Sequence, residues 1–263
     1  MHYGDFEIHA LPEGRFTVGF DKAFVPYAED SPFPKATLFI SVCPFLVKTP
    51  SEILLLDSGL GQWAKGRGVD FLLNGLAQHG VAREDVTKVL LSHLHFDHVG
   101  GSIVPVGAEW QPTFPNAEYV VQQNELTAPY GEESDDAREV FAPTVEDTGQ
   151  LVLVEGSGFL TDDIEYVHTG GHTRDHQAFR LHTGGRMVVF GGDVLPAANQ
   201  LGRRFLAKYD YDAEQSQTER SRLAEEAAEH GHLLLFYHGT DAYAAFAESA
   251  GPKGGYRIEQ VEV

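Results

Sequence analysis

Between Val86 and Gly101 a largely apolar run, Val86 to Leu91, ends in Ser92-His93-Leu94-His95-Phe96-Asp97-His98-Val99-Gly100-Gly101. The run reads as a buried strand. Three imidazoles and a carboxylate therefore stand within six residues at one strand exit. Gathering so many nitrogen and oxygen donors is costly unless something positive sits among them. A divalent metal, and two rather than one, is the natural occupant. The rest of the chain must then fold so that further donors reach the same strand end.

The surrounding pattern supplies strands and helices in two similar halves. Phe6 to Ala10 and Phe16 to Phe20 read as short strands split by Pro12-Glu13-Gly14, and Thr37 to Val47 with Glu52 to Leu56 as a hairpin. Phe71 to His79 has helical spacing and stops at Gly80. Glu118 to Val121 reads as a strand, Gln122 to Ala128 as the start of a helix, and Ser134 to Phe141 as a second, acidic helix. In the second half Leu151 to Val154, Ile164 to Val167, Ala178 to His182, Met187 to Phe190 and Leu233 to Phe236 read as strands, with Ala213 to His230 the longest helix. Two such halves predict two sheets packed face to face with helices outside. No linker or repeat divides them, so a single domain over 1–263 is expected.

Within that frame the donors can be taken one at a time. His93 and His95 alternate along an extended segment, so both side chains point the same way and can grip one ion. Asp97 and His98 follow where the chain turns toward a helix, and face a neighbouring position. Three residues just past strand-like runs can close the site. His172 lies in Thr169-Gly170-Gly171-His172-Thr173, Asp193 in Val189-Phe190-Gly191-Gly192-Asp193, and His238 after Leu233-Leu234-Leu235-Phe236-Tyr237. A carboxylate at Asp193 can bridge two cations. His176, four residues past His172, reads either as a further ligand or, in preference, as a supporting histidine. Asp57, closing Leu54-Leu55-Leu56, reads either as a brace for a ligating imidazole or as an ordinary turn aspartate before Gly59.

Composition excludes several partners. A net charge of −20 repels nucleic acid and anionic lipid. The acidic cluster Glu132, Glu133, Asp135 and Asp136 reads as solvated surface. The lone Cys43 forbids an internal disulfide and reads as buried filler. The start Met1-His2-Tyr3-Gly4-Asp5 lacks signal-peptide character, and no apolar stretch approaches the ~18 residues of a membrane span. A soluble, cytoplasmic protein acting on a small-molecule substrate is expected, with a homodimer as its one candidate assembly.

Taken together, His93-x-His95-x-Asp97-His98, Gly171-His172-Thr173, Gly192-Asp193 and His238 resemble the motifs of metallo-β-lactamase-fold hydrolases. Within that superfamily the chain is most similar to the subgroup of N-acyl-homoserine lactonases and methyl parathion hydrolase-like proteins, including Phe114 to Gln122 and Tyr209-Asp210-Tyr211-Asp212. The resemblance implies an α/β fold, an αββα sandwich of two mixed sheets with helices on both outer faces. It implies one metal on His93, His95 and His172, a second on Asp97, His98 and His238, and Asp193 bridging them. Two divalent ions are implied, Zn2+ foremost, with Mn2+, Co2+ or Fe2+ as alternatives. A hydroxide shared by the metals would open a lactone or cleave a carboxylic ester, with Asp97 and Asp193 as the catalytic carboxylates. Thioester and phosphoester or phosphotriester hydrolysis use the same set. A mononuclear iron sulfur dioxygenase, an oxidoreductase that resembles this fold, uses part of it. Two positions depart from the lactonase pattern: Pro196 stands where a tyrosine is common, and Arg174-Asp175 where Pro-Gly is frequent. Phe24, Phe33, Phe205 and Tyr209 are candidate pocket walls.

Overall fold

The computed structural model describes residues 1–19, 22–28, 34–35, 37–64, 68–127, 136–251 and 255–263. Two seven-stranded mixed sheets dominate it. The first runs, in spatial order, His2–Tyr3, Phe6–Ala10, Phe45–Lys48, Ile53–Leu56, Lys88–Leu90, Glu118–Gln122 and Leu151–Val154. Its last four strands are mutually parallel. The second runs Gly158–Thr161, Ile164–His168, Gln177–Thr183, Arg186–Phe190, Leu233–Leu235, Ala244–Ser249 and Tyr256–Val261. Its one parallel pair joins Arg186–Phe190 to Leu233–Leu235.

Near-continuous apolar runs suit strands covered on both faces, and the period of two assigns each face its partner. Phe45, Val47, Leu54, Leu56, Leu90 and Val120 of the first sheet share one core with Phe179, Val188, Phe190, Leu233 and Leu235 of the second. The alternate residues Leu46, Leu55, Val89, Tyr119 and Val121 face outward onto helices α1 (Asp70–Gln78) and α3 (Asp136–Asp147) through Leu72, Leu76, Ala137, Phe141 and Val145. Between those two helices in the chain lies the short α2 (Phe96–Val99). On the far side Ala178, Val189 and Leu234 meet Leu223, Ala224 and Ala227 of α4 (Ala213–His230). This is the four-layer α/β arrangement with helices on both outer faces. No helix among the described residues is long and apolar enough to cross a membrane.

Several elements differ from the sequence reading. Thr37 to Val47 is not one strand. Leu38–Val42 joins a separate three-stranded sheet with Gly14–Val18 and Phe24–Pro26, while Phe45–Lys48 enters the first large sheet. Pro44, which has no N–H to donate, marks the break. Gln123–Leu126 forms a 3-10 turn rather than the start of an α-helix. Helix α3 passes through Pro143 to Asp147 because Ala137, Phe141 and Val145, spaced by four, give it one buried face. Two further strands, Ala244–Ser249 and Tyr256–Val261, follow Leu233–Leu235 and extend the second sheet beyond the strands expected from the sequence. Phe20, Phe33, Glu132, Glu133 and Asp135 lie outside the described residues, as does the side chain of Asp136. Cys43 is buried, as read, and burial pushes its thiol well above the usual range.

Candidate metal centre

The donors assemble because five strands end on the same side of the sandwich. Asp57 follows Ile53–Leu56, the histidine cluster follows Lys88–Leu90, His172 follows Ile164–His168, Asp193 follows Arg186–Phe190 and His238 follows Leu233–Leu235. His95 is extended (φ −65°, ψ 148°), and helix α2 begins at the next residue. Past that change Asp97 and His98 reach His238, while His98 also stays beside His93.

Three donor groups result, each with its ligand atoms within 4.8 Å of one another: His93, His95 and His172; His93, His98 and Asp193; Asp97, His98 and His238. In the first, His93 Nε2 lies 2.8 Å and His172 Nε2 3.0 Å from His95 Nδ1. Asp193 stands between the groups. Its Oδ2 is 3.2 Å from His172 Nε2. Its Oδ1 is 3.2 Å from His98 Nε2 and 3.1 Å from His238 Nε2. Asp97 Oδ2 lies 3.6 Å from His98 Nε2 and 3.5 Å from His238 Nε2.

In four of the five rings the outer nitrogen is tied elsewhere, which fixes the orientation of the ring and turns the other nitrogen inward. His98 Nδ1 lies 2.7 Å from Asp57 Oδ2, and His172 Nδ1 2.8 Å from Asp210 Oδ1. His238 Nδ1 donates to Ser41 O at 2.7 Å, while Ser92 Oγ lies 3.0 Å from His93 Nδ1. Asp57 is therefore a brace, one of the two roles read for it. It also accepts from Ser92 N and Ser92 Oγ, each at 2.7 Å. His176 stays outside the three groups and accepts from Asp193 N at 3.1 Å. Gly192, at φ +49°, permits that turn: a Cβ there would lie 2.6 Å from His176 Nε2.

Burial, helped by neighbouring imidazoles, holds His93 and His95 well below the usual histidine range. Burial opposes charge on His98 and His238 too, but Asp193 and Asp97 outweigh it and both are raised. Asp193 is held low although burial works against it, because His238, His98 and His172 surround it. His98 Nε2 and Asp193 Oδ1 face each other at 3.2 Å, yet among the described residues neither has a well-directed hydrogen bond. Two buried atoms left so poorly satisfied cost free energy unless a further positive group meets them. Converging imidazole nitrogens, carboxylate oxygens and these two atoms fit divalent cations.

The structure also adds partners that the sequence did not single out: Asp210, Ser41 and Ser92. Pro196 offers no side-chain donor, and its carbonyl accepts from His238 N at 2.9 Å. Arg174 is exposed, while Asp175 is buried and held by Asn124 and His168. Of the candidate walls, Phe24 packs on Phe96 (5.2 Å between ring centroids) and Tyr209 stands edge-on to His172 (5.9 Å). Phe205 lies beneath the Arg220 guanidinium.

Layered sheets with donors at their common edge define a metal-site α/β sandwich. Residues 41–238 match the metallo-beta-lactamase superfamily, and the chain belongs to it. It is 27% identical over 168 residues to an N-acyl homoserine lactonase from a Bacillus species, a match spanning 57% of this chain and 62% of that protein. The chain thus spans about three fifths of the length of that relative. A probable metal-dependent hydrolase from Staphylococcus aureus shares the fold with a TM-score of 0.78 at 23% identity, over 100% of both chains. So does AidC, a dizinc quorum-quenching lactonase, with a TM-score of 0.76 at 19% identity, over 100% of this chain and 97% of that one.

Proposed function

We propose that the protein is a dinuclear metal-dependent hydrolase that opens a lactone or cleaves a carboxylic ester, with zinc as its ion. The observation that carries this reading is Asp193, whose two oxygens face different donor groups, Oδ2 toward His172 and Oδ1 toward His98 and His238. His93, His95 and His172 would hold one ion, Asp97, His98 and His238 the other, with Asp193 shared. When bound, two divalent cations lower the pKa of a water and polarise the carbonyl under attack.

The chain's own groups do the rest. Burial keeps His93 and His95 neutral and so ready to bind. Asp57, Asp210 and the Ser41 carbonyl stop the rings from turning. Asp97, 7% exposed, is the carboxylate able to orient the attacking water and take its proton toward the leaving group. Neither a serine nor a cysteine nucleophile is required. The lactonase relative supports the substrate class, as does the dizinc lactonase that shares the fold.

Asp193→Ala with metal quantification tests the mechanism. Metal content should fall, and kcat/KM should drop by about 10³-fold or more, about 4 kcal/mol of transition-state stabilisation. Full hydrolysis at full metal content would end the bridging reading. Matched lactone, ester, thioester and phosphotriester substrates, assayed on metal-quantified protein, test the substrate class. One iron per chain in place of two zinc ions would point to oxidoreductase chemistry instead.

A further inference from the structure

The segment after residue 200 holds His172 in a way that the sheet side does not share. Asp210 Oδ1 lies 2.8 Å from His172 Nδ1, and the Asp210 side chain is 1% exposed. Its other oxygen, Oδ2, is buried and has no hydrogen-bond partner among the described residues. The buried Arg220 guanidinium donates to Val194 O and Phe205 O rather than to Asp210. Asp57, which plays the same part behind His98, has Ser92 N and Ser92 Oγ as further donors. Asp57 thus remains hydrogen-bonded whatever His98 does, whereas among the described residues His172 is the one hydrogen-bond partner of the Asp210 carboxylate, with Arg220 acting on it through charge.

The backbone around that ring is laced to the same segment. Tyr211 N–H donates to His172 O at 3.0 Å and Asp212 N–H to Gly171 O at 2.8 Å. Gln215 Nε2 donates to Thr169 O at 2.6 Å. Gly171, at φ +87°, allows the approach, since a Cβ there would lie 2.7 Å from Ser216 N. Just ahead of the lacing the chain has no helix or strand, and Phe205, Leu206, Tyr209 and Tyr211 are exposed. Tyr209 sets its ring edge-on to His172, so this stretch borders the metal centre.

We propose that Asp210 is a positioning residue coupling cation binding at His93, His95 and His172 to the order of the mouth segment 205–211. The proposal rests on the metal-centre reading above. His172 becomes a stronger Nδ1–H donor when a cation occupies its Nε2 side, which tightens its bond to Asp210. By reciprocity, a substrate that orders the mouth raises the affinity of this pocket for its ion. The pocket braced by Asp57 from the sheet lacks this link.

Hydrogen exchange on the whole chain, stripped by a chelator and then loaded with Zn2+ alone, reads the coupling without turnover. Zn2+ should slow exchange across 205–211 by about tenfold or more in the unmodified protein. In Asp210→Ala that slowing should vanish, and competition with a chromophoric chelator should show one ion held about 10–100-fold more weakly. Asp210→Asn, which keeps an acceptor of the same shape, should recover part of both. Exchange near Asp57 should be alike in all three. Should Asp210→Ala fail to fold, the unmodified chain and Asp210→Asn carry the test. Two bound zinc ions with unchanged exchange across 205–211, or full protection in Asp210→Ala, would overturn the coupling and leave the metal centre standing. An unmodified chain that binds no zinc would overturn the metal-centre reading and this proposal with it.

Discussion

His93, His95 and His172 face one another as three imidazoles, with Asp193 on one side and Asp210 behind His172, whereas Asp97, His98 and His238 interleave imidazole with carboxylate. Burial keeps His93 and His95 of the first group neutral, and Asp193 and Asp97 draw protons onto His98 and His238 of the second. Their braces differ as well: Asp57 comes from a strand end, Asp210 from an irregular segment 38 residues beyond His172. Strand ends of the two sheets therefore bring together two donor groups that differ in charge and in how they are braced. The contrast predicts that the pockets can be emptied separately, and that they respond differently to pH.

The largest effect that separates them comes from removing one ligand of each. His95→Ala and His238→Ala should each lose about one equivalent of metal while keeping the other, with hydrolysis falling about 10³-fold in both. Elemental analysis checks the count. Loss of both ions in either variant would merge the two pockets into one cooperative unit and break the comparison. A smaller effect is expected at the brace. Asp57→Asn keeps the shape but weakens the hold on His98, so the second ion should bind about 10–100-fold more weakly. A chelator competition in which the first ion weakens equally would show that Asp57 supports the whole centre.

How far these features could be read from the sequence follows from how local they are. Helix α4 was legible to the residue, Ala213 to His230. Its first turn is capped by the Asp212 side chain and its end by Gly231 at φ 68°, both signals lying within the segment. His93 to His98 was legible for the same reason, because their spacing alone makes the pattern. His172, Asp193 and His238 could be flagged because each follows a strand-like run. Asp210 was visible only as part of Tyr209-Asp210-Tyr211-Asp212, and nothing local says that it faces a ring in another loop. Ser41 is harder still, since its carbonyl meets His238 across 197 residues of chain. The break at Pro44 is written in the sequence, but the apolar run on both sides of it outweighs one proline.

The smallest expected effect is also the most direct reading of the contrast, namely the titration of the metal-stripped protein. For His93 and His95 the folded value lies below the unfolded value of about 6.5. The unfolded chain then binds the extra protons, so these rings cost stability as pH falls through about 6.5. For His98 and His238 the folded value lies above it, because Asp193 and Asp97 outweigh burial. Their contribution is complete below about 6.5 and is lost as pH rises through the folded values. The two pairs therefore pull stability in opposite directions, and melting temperature should move only a few degrees, at about 2–4 °C per kcal/mol for a chain of this size. Ring-resonance NMR separates them. His93 and His95 should stay neutral at pH values where His98 is still charged, and zinc should displace protons chiefly from His98 and His238. Four rings titrating together near the ordinary imidazole value would show that the pockets share one electrostatic character, and the difference in charge between them would have to be abandoned.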